Sequence, residues 1–213
     1  ACSHPTTDKP VAGKTYRLLY DPSHFGILAG ATQISVVYAF DFWGTKAHQI
    51  LRGETGDTDL FQNVLYPDEG RSWEVKMVRD GNQWKADIPI PKGGALLSYY
   101  FKDGTRRDYN EQKTYVSYVH DETGNPVRGA RFRNIDFLIM AGNKLPALLD
   151  ELQNEVRQYP DHFLAHVVYW RFQFFDTISP DTLGDLATKA GLYFDKLQKQ
   201  FGDTVLNYKA MSL

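Results

Sequence analysis

Two histidines, His162 and His166, stand four residues apart in a segment of helical character. That spacing projects both imidazoles from one face, where they can hold a metal ion. The glutamate of a His-Glu-x-x-His motif is absent, with Phe163 in its place, and no acidic third ligand is set by the spacing. The pair therefore reads as incidental. Asp103, Asp108 and Asn110 share the short stretch Asp103-Gly104-Thr105-Arg106-Arg107-Asp108-Tyr109-Asn110, read as an inter-strand loop. Clustered oxygen donors are the chemistry of calcium, yet the Asp-x-Asp-x-Asn-Gly order of an EF-hand is missing. Asp and Asn also accept backbone N–H bonds in ordinary turns, and turn chemistry is expected here and for Asp57 and Asp59. Trp43, Trp73 and Trp84 could stack sugar rings. Trp73 and Trp84 keep phase with aliphatic neighbours, which predicts them in a core, whereas Trp43 is out of phase with the Phe42 stripe and is predicted exposed. Trp43, Asp103, Asp108 and Asn110 are the candidate ligand-binding residues.

Nothing in the chain is arranged for nucleophilic catalysis. There is no Gly-x-Ser-x-Gly elbow and no phosphate-binding glycine loop. Carboxylates are dispersed, and their separation in space is not legible from the order of residues. The expectation is a non-catalytic chain with no metal and no cofactor. A net charge of −2 and a pI near 6.3 argue against a nucleic-acid partner, which would need clustered Lys and Arg. The basic runs Arg106-Arg107 and Arg128, Arg131, Arg133 are interrupted by Asp108 and Asp136 and read as solvated surface. Aromatic residues make up 14% of the chain, which suits β-sheet cores as well as sugar- or peptide-binding faces.

The single cysteine, Cys2, excludes an internal disulfide and a CxxC pair within this chain. Placed ahead of the polar run Ser3–Lys14, it resembles the lipid-bearing cysteine of bacterial lipoproteins. The resemblance implies an envelope location, with the membrane touched only through a lipidated Cys2. No stretch approaches the roughly 18 apolar residues that span a bilayer; the longest, Phe163–Phe175, is broken by His166, Arg171 and Gln173.

The elements that would position these residues divide the chain. Residues 1–14, with Pro5, Pro10 and Gly13, read as a flexible tether. From Thr15 the pattern has period two: Ile34, Val36, Tyr38, Phe40 and Phe42 fall on one face of a strand. Trp73, Val75 and Met77 alternate with charged residues, and Trp84, Ala86, Ile88 and Ile90 follow the turn signal Asp80-Gly81-Asn82, predicting a β-hairpin. Pro89 and Pro91 place that strand's end at a sheet edge or outside the ladder. Leu96–Lys102 and Thr114–His120 are further strands. Residues 15–140 are thus predicted to be an antiparallel β-sandwich. After Ala141-Gly142-Asn143 the period becomes helical: Leu145, Leu148, Leu149, Leu152 and Val156 form one stripe, ended by Tyr159-Pro160. Phe163–Phe175 is apolar around most of its circumference and should lie between neighbours. Ser179-Pro180-Asp181 opens a third helix with inner face Leu183, Leu186, Ala187, Ala190, Phe194, Leu197 and Phe201. Asp203 begins a fourth. Residues 141–213 are predicted to form helical hairpins that look like a tetratricopeptide-type array, without a countable 34-residue repeat, in a chain expected to continue.

Two family resemblances arise from these segments. Trp84-Lys-Ala-Asp-Ile-Pro-Ile-Pro with Leu97-Ser-Tyr-Tyr-Phe-Lys-Asp-Gly resembles the immunoglobulin-like glycogen-binding modules of amylolytic enzymes, over about an eighth of the chain. Asp108-Tyr-Asn-Glu-Gln-Lys-Thr-Tyr115, then Asp121-Glu-Thr-Gly-Asn-Pro-Val-Arg-Gly-Ala130 and helices with Tyr159-Pro160, is similar to the N-terminal region of exported bacterial thioredoxin-like thiol-disulfide oxidoreductases. That likeness covers most of residues 15–213. It implies an immunoglobulin-like sandwich and helical repeats preceding a thioredoxin-like domain, and no catalytic residue carries over because the CxxC is absent. The expected partner is a protein or a downstream domain of the same chain, and the alternative is a stand-alone glycan-binding lipoprotein.

Overall fold

The computed structural model describes residues 9–23, 26–41, 72–111, 114–176 and 180–201. They form two compact units, residues 1–142 and 143–213. Eight strands lie in the first: β1 (Thr15–Tyr20), β2 (Ser35–Phe40), β3 (Trp73–Lys76), β4 (Val78–Asp80), β5 (Gln83–Pro89), β6 (Leu96–Asp103), β7 (Arg106–Asp108) and β8 (Tyr115–Tyr118). All pair antiparallel, in one sheet ordered β1-β5-β4 and a second ordered β3-β2-β6-β7, with β8 alongside the first half of β6.

Period-two patterning makes the sandwich. Tyr16, Leu18 and Tyr20 of β1, with Trp84, Ala86 and Ile88 of β5, turn inward from the first sheet. Val36 and Tyr38 of β2, Leu97, Tyr99 and Phe101 of β6 and Tyr115 of β8 meet them from the second. Tyr20 stacks on Phe101 at 3.8 Å and ties the two layers, and within the second sheet the cross-strand pair Tyr99 and Tyr115 stacks at 5.4 Å.

The predicted hairpin is shorter than expected. Only β4 and β5 form it, about Gly81-Asn82, with Gly81 at φ 60 where a two-residue hairpin of the II′ kind takes glycine. Trp73–Lys76 pairs instead with β2, because the chain changes sheets at the buried Met77, whose N–H donates to the Ile34 carbonyl. Alternation runs unbroken across this corner, so the pattern hides the change of sheet. Pro89 sits inside β5 opposite Thr15, at a position whose N–H would face away from β1. There β4 has already ended, since its pairing reaches only Lys85.

Three further expectations are corrected. Residues 9–14 are not tether: Val11 bridges His120, the Ala12 N–H donates to the His120 carbonyl, and the Gly13 N–H to the Ile90 carbonyl. Residues 106–108, read as loop, are strand β7, because the turn Gly104-Thr105 returns the chain onto β6. A helix, α1 (Ala130–Met140), closes the first unit where none was expected. It packs on β6 and β8 and helps bury the second sheet's other face, which explains why Ala39, Leu96 and Ser98 are inaccessible.

The second unit is helical: α2 (Leu145–Gln158), α3 (Phe163–Asp176) and α4 (Pro180–Phe201). Pro146 lies in the first turn of α2, where a missing N–H costs nothing, and the helix stops at Tyr159 before Pro160. Leu148 and Leu152 carry its buried stripe, as the periodicity predicts. The all-round apolar α3 packs against both α2 and α4. On α4, Leu186, Phe194 and Leu197 are buried, whereas Ala187 is exposed. The helix expected from Asp203 lies outside the described residues. No helix among those described is long and apolar enough to cross a membrane.

Candidate functional site

The β6–β7 corner gathers the oxygen donors singled out in the sequence. Asp108 ends β7 opposite Phe101, which turns its carboxylate into the sandwich, where it is fully buried. Three donors meet it: the Tyr20 hydroxyl at 2.7 Å, the Tyr115 hydroxyl at 3.2 Å and the Asn110 backbone N–H at 2.9 Å. An isolated buried carboxylate costs several kcal/mol, roughly offset when hydrogen bonds to the charge contribute about 1.5–3 kcal/mol each. Burial, aided by the hydrogen bond to Asp108, pushes the Tyr20 hydroxyl far above the ordinary tyrosine range. That phenol is therefore a fixed proton donor. Asn110 adopts φ 55, and its N–H bond to Asp108 is the Asx-turn geometry expected of such a residue. Its side-chain amide donates to the Thr114 carbonyl at 3.4 Å.

Asp103 has a different partner. Its carboxylate is gripped by the Arg106 guanidinium, which also donates to the carbonyls of Ile27 and Ala29 at 3.2 and 3.3 Å. The hydrogen bond to Arg106 holds the Asp103 carboxyl below its usual range. The cluster thus fastens the 26–31 turn and β1 to the β6–β7 corner. The oxygens of Asp103 and Asp108 are spent on separate partners, and no group of three His, Cys, Asp or Glu among the described residues could hold a metal ion.

The two histidines are likewise employed separately. His162 Nδ1 lies 2.7 Å from the buried Glu155 carboxylate, and His166 Nε2 lies 3.1 Å from the Pro160 carbonyl. The His166 ring packs on Tyr193 at 4.1 Å and near Trp170 at 5.3 Å, and burial lowers its pKa. Trp84 is buried, as its phase predicts, but Trp73 is 42% exposed. It lies at the start of a strand that is outermost among the described residues, stacked on Tyr38 at 5.6 Å and close to Phe40. Position along the sheet, which phase does not report, decides its exposure. Trp43, Cys2, Asp57 and Asp59 lie outside the described residues.

Sequence reading passed over a groove of about 590 Å³ beside β1, lined by Lys9, Val11, Lys14, Thr15, Tyr16, Arg17 and Asp87. Arg17 forks onto Asp87 with bonds of 2.8 and 3.1 Å, and Lys14 meets Glu122 at 3.2 Å. Its signal in the sequence was slight, two cations, Lys14 and Arg17, beside the apolar Tyr16 and Leu18. No protein-family model, curated protein or solved structure matches the chain.

Proposed function

We propose that this chain is a non-catalytic binding and positioning module. The supporting observation is the use to which its most sheltered polar groups are put: the Asp108 carboxylate takes three donors, two of them the Tyr20 and Tyr115 hydroxyls of other strands and the third the Asn110 N–H of its own turn. A reactive carboxylate would instead have to reach a substrate, and Asp108 is inaccessible from solvent.

In this reading the module is the accessory region of a lipid-anchored bacterial envelope protein, tethered through Cys2 and preceding a thioredoxin-like domain of the same polypeptide. Its first unit is immunoglobulin-like. The strand order supports that: β1-β5-β4 corresponds to a B-E-D sheet, and β3-β2-β6-β8 to the facing C′-C-F-G sheet. Its second unit is a tetratricopeptide-like array, a reading supported by helices that pack in succession, α2 on α3 and α3 on α4. The intact mass of the native protein from a membrane fraction tests the proposal. A mass exceeding the 24.4 kDa of this chain by a thioredoxin-sized domain of about 100–150 residues is expected. A mass matching this chain plus lipid removes the redox setting.

A second reading, a glycan-binding surface lipoprotein, draws on Trp73, half-exposed on its Tyr38 support as a sugar-stacking ring would be. Oligosaccharide panels that leave intrinsic tryptophan fluorescence unchanged would remove it.

A further inference from the structure

The edge of the first sheet carries an inference about what is bound. β1 is an outer strand: β5 lies on one side, and no strand among the described residues pairs with the other. The Gly13 N–H donates to the Ile90 carbonyl while the Ile90 N–H donates to the Lys14 carbonyl, so Gly13 and Lys14 together oppose one residue. This is a bulge of the glycine-first kind, with Gly13 at φ 75. It sets the phase of everything that follows. Lys14, Tyr16, Leu18 and Tyr20 direct their backbone groups to β5, and Thr15, Arg17 and Leu19 direct their N–H and C=O groups away from it, toward the open edge.

That edge borders the groove. Three of the seven lining residues are cations, Lys9, Lys14 and Arg17, against one carboxylate, Asp87, and Val11 and Tyr16 supply apolar contact. The ion pairs already present are exposed on both partners, at 61% and 53% for Arg17 and Asp87 and 58% and 80% for Lys14 and Glu122. Pairs so exposed exchange readily with a competing carboxylate.

We infer that the open edge of β1 docks an extended, acidic segment of a partner protein, which adds as a further strand beside Thr15–Tyr20 with its carboxylates against Lys9, Lys14 and Arg17. Main-chain bonds to the outward groups of Thr15, Arg17 and Leu19 hold the added strand, and the cations select it. A second copy of this chain fits worse, since antiparallel pairing of two β1 edges about the midpoint of their outward residues sets Arg17 opposite the Arg17 of the other copy. The inference rests on the binding-module reading and names its partner class.

The test is an NMR titration of the full chain with octapeptides alternating Glu and Val, and with their Lys-for-Glu counterparts. Expected are shifts and slowed exchange of the Thr15, Arg17 and Leu19 amides with the acidic peptide alone, weakening as salt is raised. The double variant K9E/K14E should lose about tenfold or more in affinity while keeping its unperturbed spectrum elsewhere. Arg17→Pro, which removes an outward N–H without touching the β5 ladder, should lose binding while a thermal melt reports whether it folds. Equal binding of the basic peptide, shifts confined to other residues, β1-mediated dimerisation, or no binding each overturn the inference. The native mass measurement is independent of all four outcomes, so failure at the edge leaves the accessory-region reading standing, and a native mass without the extra domain leaves the edge standing.

Discussion

The two units solve the same problem of burial with different resources. The sandwich closes two patterned faces on one another, and its core includes seven aromatic side chains together with a carboxylate, Asp108, that takes three hydrogen bonds. The helical unit has a thinner interior of Leu148, Leu152, Ala165, Leu186, Phe194 and Leu197, and its buried charge, Glu155, leans on an ionisable partner, His162. In the sandwich the buried carboxylate is held by tyrosine hydroxyls, which keep their protons, whereas in the helical unit the buried carboxylate faces a histidine. The first unit should therefore respond most to lost packing and lost hydrogen bonds, and the second to pH.

The largest break in this comparison is Phe101→Ala, which empties a site contacted by Tyr20, Tyr99 and Tyr115. A loss of about 3–5 kcal/mol is expected, read by urea unfolding, with hydrogen exchange collapsing in residues 9–141 before it does in the helices. Asp108→Ala comes next. It strands two tyrosine hydroxyls in the core and should cost about 2–4 kcal/mol, while Tyr115→Phe, which removes the longer bond alone, should cost about 1 kcal/mol. Equal losses for these two variants would show that the carboxylate does not organise the corner.

The comparison sharpens with acid. Burial holds the folded-state pKa of His166 below its ordinary 6.5, so the unfolded chain binds the proton more readily. Stability is complete above pH 6.5 and is lost as the pH falls through the folded-state value. Urea midpoints of the helical unit at pH 7.5 and 5.0 should show this fall, and His166→Phe, which keeps a ring against Tyr193, should flatten it. His120 in the sandwich is shifted in the same direction by burial, so the first unit's midpoint should also fall with acid, and that fall should survive His166→Phe. The smallest effect is expected at Asp87→Ala, whose pair with Arg17 is exposed. Its urea midpoint should be unchanged, because such pairs contribute little in water.

Most strands and the three described helices of the second unit were legible because burial repeats with a fixed period, two in β1 and β5 and near 3.6 in α2 and α4, while β2 and β6 are long apolar runs buried on both faces. The misread parts are those where periodicity says nothing. At Met77 the alternation continues while the chain passes from one sheet to the other. In α1 the buried residues Ala130, Asn134, Ile135 and Phe137 include an asparagine bonded to the Tyr118 hydroxyl, so the apolar stripe is interrupted. Residues 9–14 look like a linker by composition and are held by backbone bonds, with Gly13 at φ 75 as the one position that needs its residue type.

The candidate site divides in the same way. By itself the sequence determined that Asp103, Asp108 and Asn110 lie near a turn, that metal-ligand spacing is incomplete at His162 and His166, and which faces of the strands are apolar. Only the tertiary structure decided that Asp108 is a buried clamp rather than a surface ligand, because Tyr20 lies 88 residues away along the chain and arrives by sheet packing. It alone decided that Trp73 is half-exposed and that β1 is outermost among the described strands of its sheet, because strand order within a sheet is a long-range property. Local period reports which way a side chain faces; which strand ends up outermost depends on every pairing at once.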